Sequence, residues 1–193
     1  MDDLNLKDTT DDAPEDGYQL ADLSRAEETQ GADDGLRETY IALSECVRQR
    51  SVDGLNQLLV DTIMLRDLYK KHHWQLSGPT FYQLHLLFDE HYETQAELVD
   101  ALAERVQILG GVAIGMPDQV ADLTHIDHPP RGREEPEVQI TRLLGAHRTI
   151  LGFAQEFAAV VSENGDTGTE DLVVSQLIVE NEKQAWFIAE HLA

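Results

Sequence analysis

Cysteine is almost missing from this chain. Cys46 stands alone, so no intrachain disulfide framework exists, which suits a reducing cytoplasm. Cys46 itself reads as a small buried apolar residue. Lysine is scarce too: only four of the 14 basic residues are lysines, set against 37 acids, for a net charge of −23. Such a surface repels nucleic-acid phosphates and anionic membranes and offers no basic stripe to follow a backbone. It attracts cations, although acidity alone also marks a merely solubilised surface. No apolar run approaches the roughly 20 residues that a bilayer requires. The first residues, MDDLNLKDTTDD, lack the cationic and apolar regions of a secretory signal,. The expected location is therefore the cytoplasm.

What is present is one domain's worth of helix. Apolar residues make up 41% of the 193, enough for a single well-cored domain. Residues 1–35 carry 12 acids and two bases with little apolar periodicity; low hydrophobicity with charge of one sign predicts a solvated, flexible acidic tail. The domain proper then spans 36–193. A short helix is expected over 36–48 and a longer one over 51–76, marked by Leu55, Leu58, Leu59, Thr62, Ile63, Leu65 and Leu68 at helical spacing,. Ser77-Gly78-Pro79 reads as a stop and a start. A helix over 79–109 follows, closed by Gly110-Gly111. Residues 110–136 hold four of the six prolines and read as a long crossover with a short helix near 118–123. Helices over 137–162 and 169–192, separated by ENGDTGTED, complete an all-α chain. Four main helices with one long middle crossover is the connectivity of ferritin-like four-helix bundles.

Histidines and carboxylates fall in a pattern. His72 and His73 close one long helix, and the next carries His85 and Asp89 four apart, then Asp100 and Glu104 four apart. Each i, i+4 pair faces one side of a helix, as a shared metal ion requires. Eleven residues separate Asp89 from Asp100; at 100° per residue they differ by only about 20° around the axis, yet they lie about 16 Å apart along it. One chain cannot bring both pairs to one ion. They are either unrelated surface pairs or two halves of a site that a second, antiparallel copy completes, and a two-fold axis would create two such sites per dimer. Imidazole nitrogen with carboxylate oxygen and no sulfur suits iron, zinc or manganese. A site inside one bundle would need Glu-x-x-His motifs, and no glutamate here has histidine three residues on. Of the remaining histidines, His72, His91, His125, His128 and His147 read for the most part as surface or packing residues.

The segment His73-Trp74, Gly78, Phe81, Leu84-His85, Phe88-Asp89, Asp100, Ala103-Glu104-Arg105 and Gly110-Gly111, with Trp186-Phe187-Ile188 near the end, resembles the Dps family of mini-ferritins, the DNA-binding proteins from starved cells. The resemblance covers residues 50–192. It implies a hollow homo-dodecamer that oxidises Fe(II), with hydrogen peroxide preferred to oxygen, and stores ferric mineral. His73, His85 and Asp89 would come from one subunit and Asp100 and Glu104 from its two-fold mate. His73 and Glu104 would then hold the first iron, with His85 and Asp89 completing a weaker second position. Trp74 would intercept radicals beside the site, and Asp166, Glu170 and Asp171 would line iron-entry pores on the three-fold axes. Zinc is accepted by the same donors, so a non-enzymatic metal-buffering bundle is the alternative.

The family name and this composition part company over DNA. Tails that bind DNA are rich in Lys and Arg, whereas residues 1–35 carry a net −10. We expect no retardation of duplex DNA in a gel shift at low salt without divalent cations; stable retardation would show that the charge balance does not decide binding.

Overall fold

A computed structural model describes residues 23–31 and 34–192; the remainder of the expected tail lies outside the described residues. Helix α1 runs over Glu45–Gln75, α2 over Phe81–Ile108, α3 over Pro117–Leu123 and α4 over Pro136–Glu163. The last rod begins as α5, Thr167–Asp171, passes through a π-helical stretch, Leu172–Ile178, and ends as α6, Val179–Ala189. Among the described residues there is no strand, and no helix is long and apolar enough to cross a membrane.

Helix α1 starts where Ser44 caps it, its Oγ accepting from the Val47 amide at 3.4 Å,. The short helix expected over 36–48 does not form, and α1 is one helix rather than two. Residues 34–44 instead run as a strap tied to the bundle by hydrogen bonds. The Arg37 amide donates to the Gly110 carbonyl at 2.9 Å. Arg48, buried in α1, donates from Nη1 to the carbonyls of Arg37 (3.0 Å) and Leu109 (2.8 Å). Gln30 adds a bond to Gly110 at 2.9 Å. These tertiary bonds outcompete a local helix that propensity alone favours weakly. Cys46 is a second correction: it is exposed, because it sits on the solvent side of the first turn of α1.

α1 and α2 form an antiparallel hairpin, α4 packs on α1, and the last rod packs on α4. Leu55, Leu58, Leu65, Leu68, Leu84, Phe88, Leu102, Ile140, Leu143, Ile150 and Leu177 fill the space between them and are essentially buried. Gly54 lets α4 approach α1: a Cβ there would sit 2.1 Å from the Phe157 ring. Helix α2 ends at Gly110, whose φ of 86° is open to glycine at no steric cost,. The crossover lies across α1. Asn56 brackets it from both amide atoms, to the Val112 carbonyl and the Ile114 amide. Buried Asp61 accepts from Thr124 Oγ1 (2.8 Å) and the His125 amide (2.7 Å).

The π-helical stretch was not expected within a single rod over 169–192. Its extra residue per turn leaves no mark in a 3.6-residue pattern, since packing against α4 and α2 absorbs it,. Asp166 anchors the rod. It caps α5 through the Thr169 amide (3.1 Å), and it accepts from Ser51 Oγ (2.6 Å), Thr169 Oγ1 (2.6 Å) and Arg105 Nη2 (2.5 Å). Burial alone would raise its pKa, but the hydrogen bonds from Ser51 and Thr169 and the Arg105 charge outweigh burial and hold it below the usual carboxylate range,. One carboxylate thus joins α1, α2 and α5. Asp166→Ala strands the Arg105 cation and should cost about 3 kcal/mol in chemical denaturation; a loss within experimental error would show that the junction is not stabilising.

Candidate metal centre

The end of α1 and the start of α2 meet across the turn at 76–80. There His73 and His85 clasp each other: Nδ1 of His73 donates to the His85 carbonyl at 2.8 Å, and Nδ1 of His85 donates to the His73 carbonyl at 3.1 Å. A carbonyl can only accept, so both Nδ1 atoms carry protons and, in the neutral rings, both Nε2 atoms keep lone pairs. That is the tautomer a metal ligand needs, fixed by the hydrogen bond behind it. The rings stack with centroids 3.6 Å apart, and Phe81 closes one flank at 5.0 Å from His85. Asp89, one turn along α2 from His85, reaches within 3.9 Å of His73 Nδ1.

Lys70, which the sequence patterns did not single out, is bonded to Asp89 Oδ1. That hydrogen bond outweighs partial burial and, with the charges of Lys70, His73 and His85, holds the Asp89 carboxyl below its ordinary range. The Lys70 ammonium also lies 4.4 Å from the centre of the Tyr92 ring,. The available signal was position: Lys70 is three residues before His73, on the same helix face, in a chain with only four lysines.

Asp100 and Glu104 are exposed on α2. The buried stripe of that helix is Leu84, Phe88, His91, Gln95, Leu98, Leu102 and Val106. Projected at 100° per residue, the face bearing His85, Asp89, Asp100 and Glu104 points about 145° away from that stripe. Asp100 and Glu104 point to solvent, whereas His85 and Asp89 are half-buried against the end of α1, and the two groups lie about three turns apart,. Among the described residues, no group of three or more His, Cys, Asp or Glu side chains closes around an ion within one chain. Trp74 is 69% exposed next to His73, and Tyr82 and Leu86 are exposed large apolar residues beside the ligand face. Of the acids assigned to a pore, Asp166 is only 1% exposed and occupied by Arg105, so it is not open to an arriving ion in this chain. Glu170 and Asp171 line a shallow surface hollow with Thr167, Val174 and Ser175.

A second polar system was also missed. His91 and Gln95 occupy the buried stripe of α2, where the heptad spacing wants apolar side chains. They meet Tyr69 of α1, His147 of α4, and Asn181 and Gln184 of α6 in the bundle interior. The signal was the spacing 84, 88, 91, 95, 98, 102, which places two polar residues in an otherwise apolar register.

A bundle with two long antiparallel pairs, a crossover on its flank and an outward-facing His/carboxylate half-site defines a ferritin-like protein. The comparisons agree: the ferritin-like domain model matches residues 52–193. The chain is 31% identical over 167 residues to the DNA protection during starvation protein of Halobacterium salinarum, covering 86% of this chain and 88% of that one. It is 54% identical over 126 residues to an uncharacterized protein in the bpoA2 5′ region of Kitasatospora aureofaciens, covering 65% and 84%. It superposes on DpsC from Streptomyces coelicolor with a TM-score of 0.82 and 50% identity, covering 82% and 92%. The chain belongs to the Dps family of ferritin-like proteins.

The interior histidines make stability depend on pH. Burial lowers the pKa of His147 from 6.5 to about 4, only partly offset by the Asn181 bond. Burial, with Lys71 and Arg142 adding to it and Glu134 opposing, lowers His72 to about 4. Burial, His147 and Lys183 lower His91 to about 3. A depressed pKa means that the unfolded chain binds protons first, so this stability is complete above pH 6.5 and drains away as the pH falls toward 4,. Each such histidine contributes a slope of up to about 1.4 kcal/mol per pH unit in that window. Denaturant midpoints should fall across it, and His147→Gln should flatten the fall; parallel curves for the two proteins would contradict this account.

Proposed function

We propose that the protein takes up Fe(II), oxidises it with hydrogen peroxide at sites shared by two subunits, and keeps the ferric product inside a cage of twelve copies. The observation that carries this reading is the reciprocal clasp of His73 and His85. It leaves a lone pair on each Nε2, with the Asp89 carboxylate 3.9 Å from His73 Nδ1. Such a half-site offers three donors and open positions, so a substrate ion on it needs further oxygen ligands. Asp100 and Glu104 of the partner subunit supply them if two α2 helices pack antiparallel, because the same three-turn offset then places each chain's second pair on the other's first. Exposed Tyr82, Leu86 and Trp74 beside the ligand face give such a dimer apolar surface to bury,. The family relationship supports the iron chemistry and the shell. The acidic composition favours the approach of Fe(II), and the protection offered to a cell is the consumption of iron and peroxide rather than a coat on DNA,.

In this reading His73 and Glu104 hold the ion most firmly, while Asp89 and His85 complete the second position. Lys70 balances the Asp89 charge until a cation displaces it.

The two-subunit geometry has a direct test. His73→Ala and Glu104→Ala should each abolish the peroxide-dependent rise in ferric absorbance. Co-expressed, the two variants should recover part of it, because a mixed dimer has one doubly damaged site and one intact site. Light scattering should give a mass near twelve subunits for the wild type and for both variants. No recovery in mixed shells of the correct mass would overturn the site shared by two subunits, and unimpaired single variants would remove the ferroxidase assignment.

A further inference from the structure

Tyr69 is fully buried between two imidazoles. Its hydroxyl lies 2.5 Å from Nε2 of His147 and 3.1 Å from Nδ1 of His91. The direction of every hydrogen bond in this chain of groups can be worked out. Asn181 Nδ2 donates to the Leu177 carbonyl at 2.8 Å, so Asn181 Oδ1 is the atom turned toward the histidine. Nδ1 of His147, 2.9 Å from that oxygen, must donate to it. In the neutral ring Nε2 is then a lone pair, and it accepts the Tyr69 proton. His91 Nδ1 in turn donates to the Tyr69 oxygen. Donation runs one way, from His91 through Tyr69 and His147 to Asn181 and the backbone of the π-helical stretch.

We propose that Tyr69 is a redox-active residue that yields one electron to the oxidant formed when Fe(II) reduces hydrogen peroxide, while its proton crosses to His147. This rests on the function proposed above. The balance is simple. Fe(II) and hydrogen peroxide give Fe(III), hydroxide and a hydroxyl-radical equivalent. That equivalent takes one electron from Tyr69 and becomes hydroxide. The Tyr69 O–H bond breaks, a bond forms from the proton to His147 Nε2, and a neutral tyrosyl radical faces a histidinium. Asn181 Oδ1 steadies the new cation through Nδ1–H, and a later electron from Fe(II) with return of the proton restores the phenol.

Three features favour this over a purely structural role. Burial pushes the Tyr69 pKa well above its ordinary value, so the residue cannot ionise first and its electron must leave together with its proton. The acceptor imidazole is neutral at pH 7, as shown by its lowered pKa. The route is short: Tyr69 lies one turn, about 6 Å of helix rise, before His73, and its ring meets that of Phe88, the neighbour of Asp89, at 5.7 Å. The effect would be to draw an oxidising equivalent into a closed interior, away from the exposed Trp74 and the half-site ligands.

The test is freeze-quench electron paramagnetic resonance on the assembled protein mixed with Fe(II) and hydrogen peroxide, with ferric absorbance followed in the same samples. A tyrosyl signal should appear, its hyperfine pattern should collapse when tyrosine is ring-deuterated, and Tyr69→Phe should remove it while Tyr82→Phe and Tyr92→Phe keep it. A second measurement needs no variant. In the wild type, the radical should show two exchangeable N–H protons and couplings to isotopically labelled histidine nitrogens. Iron oxidised without any tyrosyl signal, a signal that survives Tyr69→Phe, or a radical lacking histidine couplings would each overturn the inference and leave the ferroxidase reading standing. Failure to oxidise iron at all would overturn both.

Discussion

The turn between α1 and α2 is closed by a reciprocal pair of hydrogen bonds on which the proposed metal site depends. Two histidines twelve residues apart spend their Nδ1 protons on each other's backbone carbonyls. Those bonds do two jobs. They satisfy the His73 carbonyl in the last turn of α1, where helix carbonyls lack an intrahelical partner, and add a second bond to the His85 carbonyl in α2,. They also remove the freedom of both rings to choose a tautomer, so the Nε2 atoms are ready to ligate before anything binds. Without the clasp, His73 and His85 would be two surface side chains with several rotamers each, and an incoming ion would meet the entropy cost of ordering them.

Helix geometry supplies the second constraint. A rigid rod fixes Asp100 and Glu104 at three turns from His85 and Asp89, and no side chain bridges that span. The outward direction of the ligand face follows from the inward direction of the Leu84–Phe88–Leu98–Leu102–Val106 stripe. The apolar pattern that builds the bundle therefore also keeps the proposed ligands of α2 out of its core.

That relation explains which parts were legible in the sequence. The helices, the crossover with its short helix and the ligand face of α2 all follow from periodicity, and periodicity is visible in one dimension. The strap at 34–44 was not, because the bonds holding it run to Gly110, Leu109 and Arg48 and have no local signature. Residues 36–44 carry enough helix formers to suggest a helix, and tertiary hydrogen bonds override that preference. Cys46 was assigned to the interior on residue type, although its place on α1 relative to Leu55 and Leu58 puts it on the opposite side. Lys70 escaped notice because ligand patterns search for donors, and an ammonium is instead a competitor for one of them. His91 and His147 were read individually as surface or packing residues; their meeting with Tyr69 depends on three helices packing in register, which no single segment encodes.

The interior network also bears on why metal chemistry belongs at the surface. The middle of a ferritin-like bundle can hold ions when glutamates and histidines project inward. Here the corresponding inward polar groups are Gln95, Asn181, Gln184, His91, His147 and Tyr69. Amides, a phenol and neutral imidazoles carry no net charge to offset a divalent ion stripped of its water, and burial holds the imidazoles and the phenol in their neutral forms,. Most of their hydrogen-bonding capacity is already committed among themselves. The carboxylates Asp100 and Glu104, by contrast, stand exposed on the solvent side of α2. The core is thus suited to relaying a proton between neutral partners, and the surface to capturing a cation. An ion that must be held by charged oxygen and partly dehydrated would find both conditions where two such surfaces close over it, which is why the proposed site calls for subunit pairing.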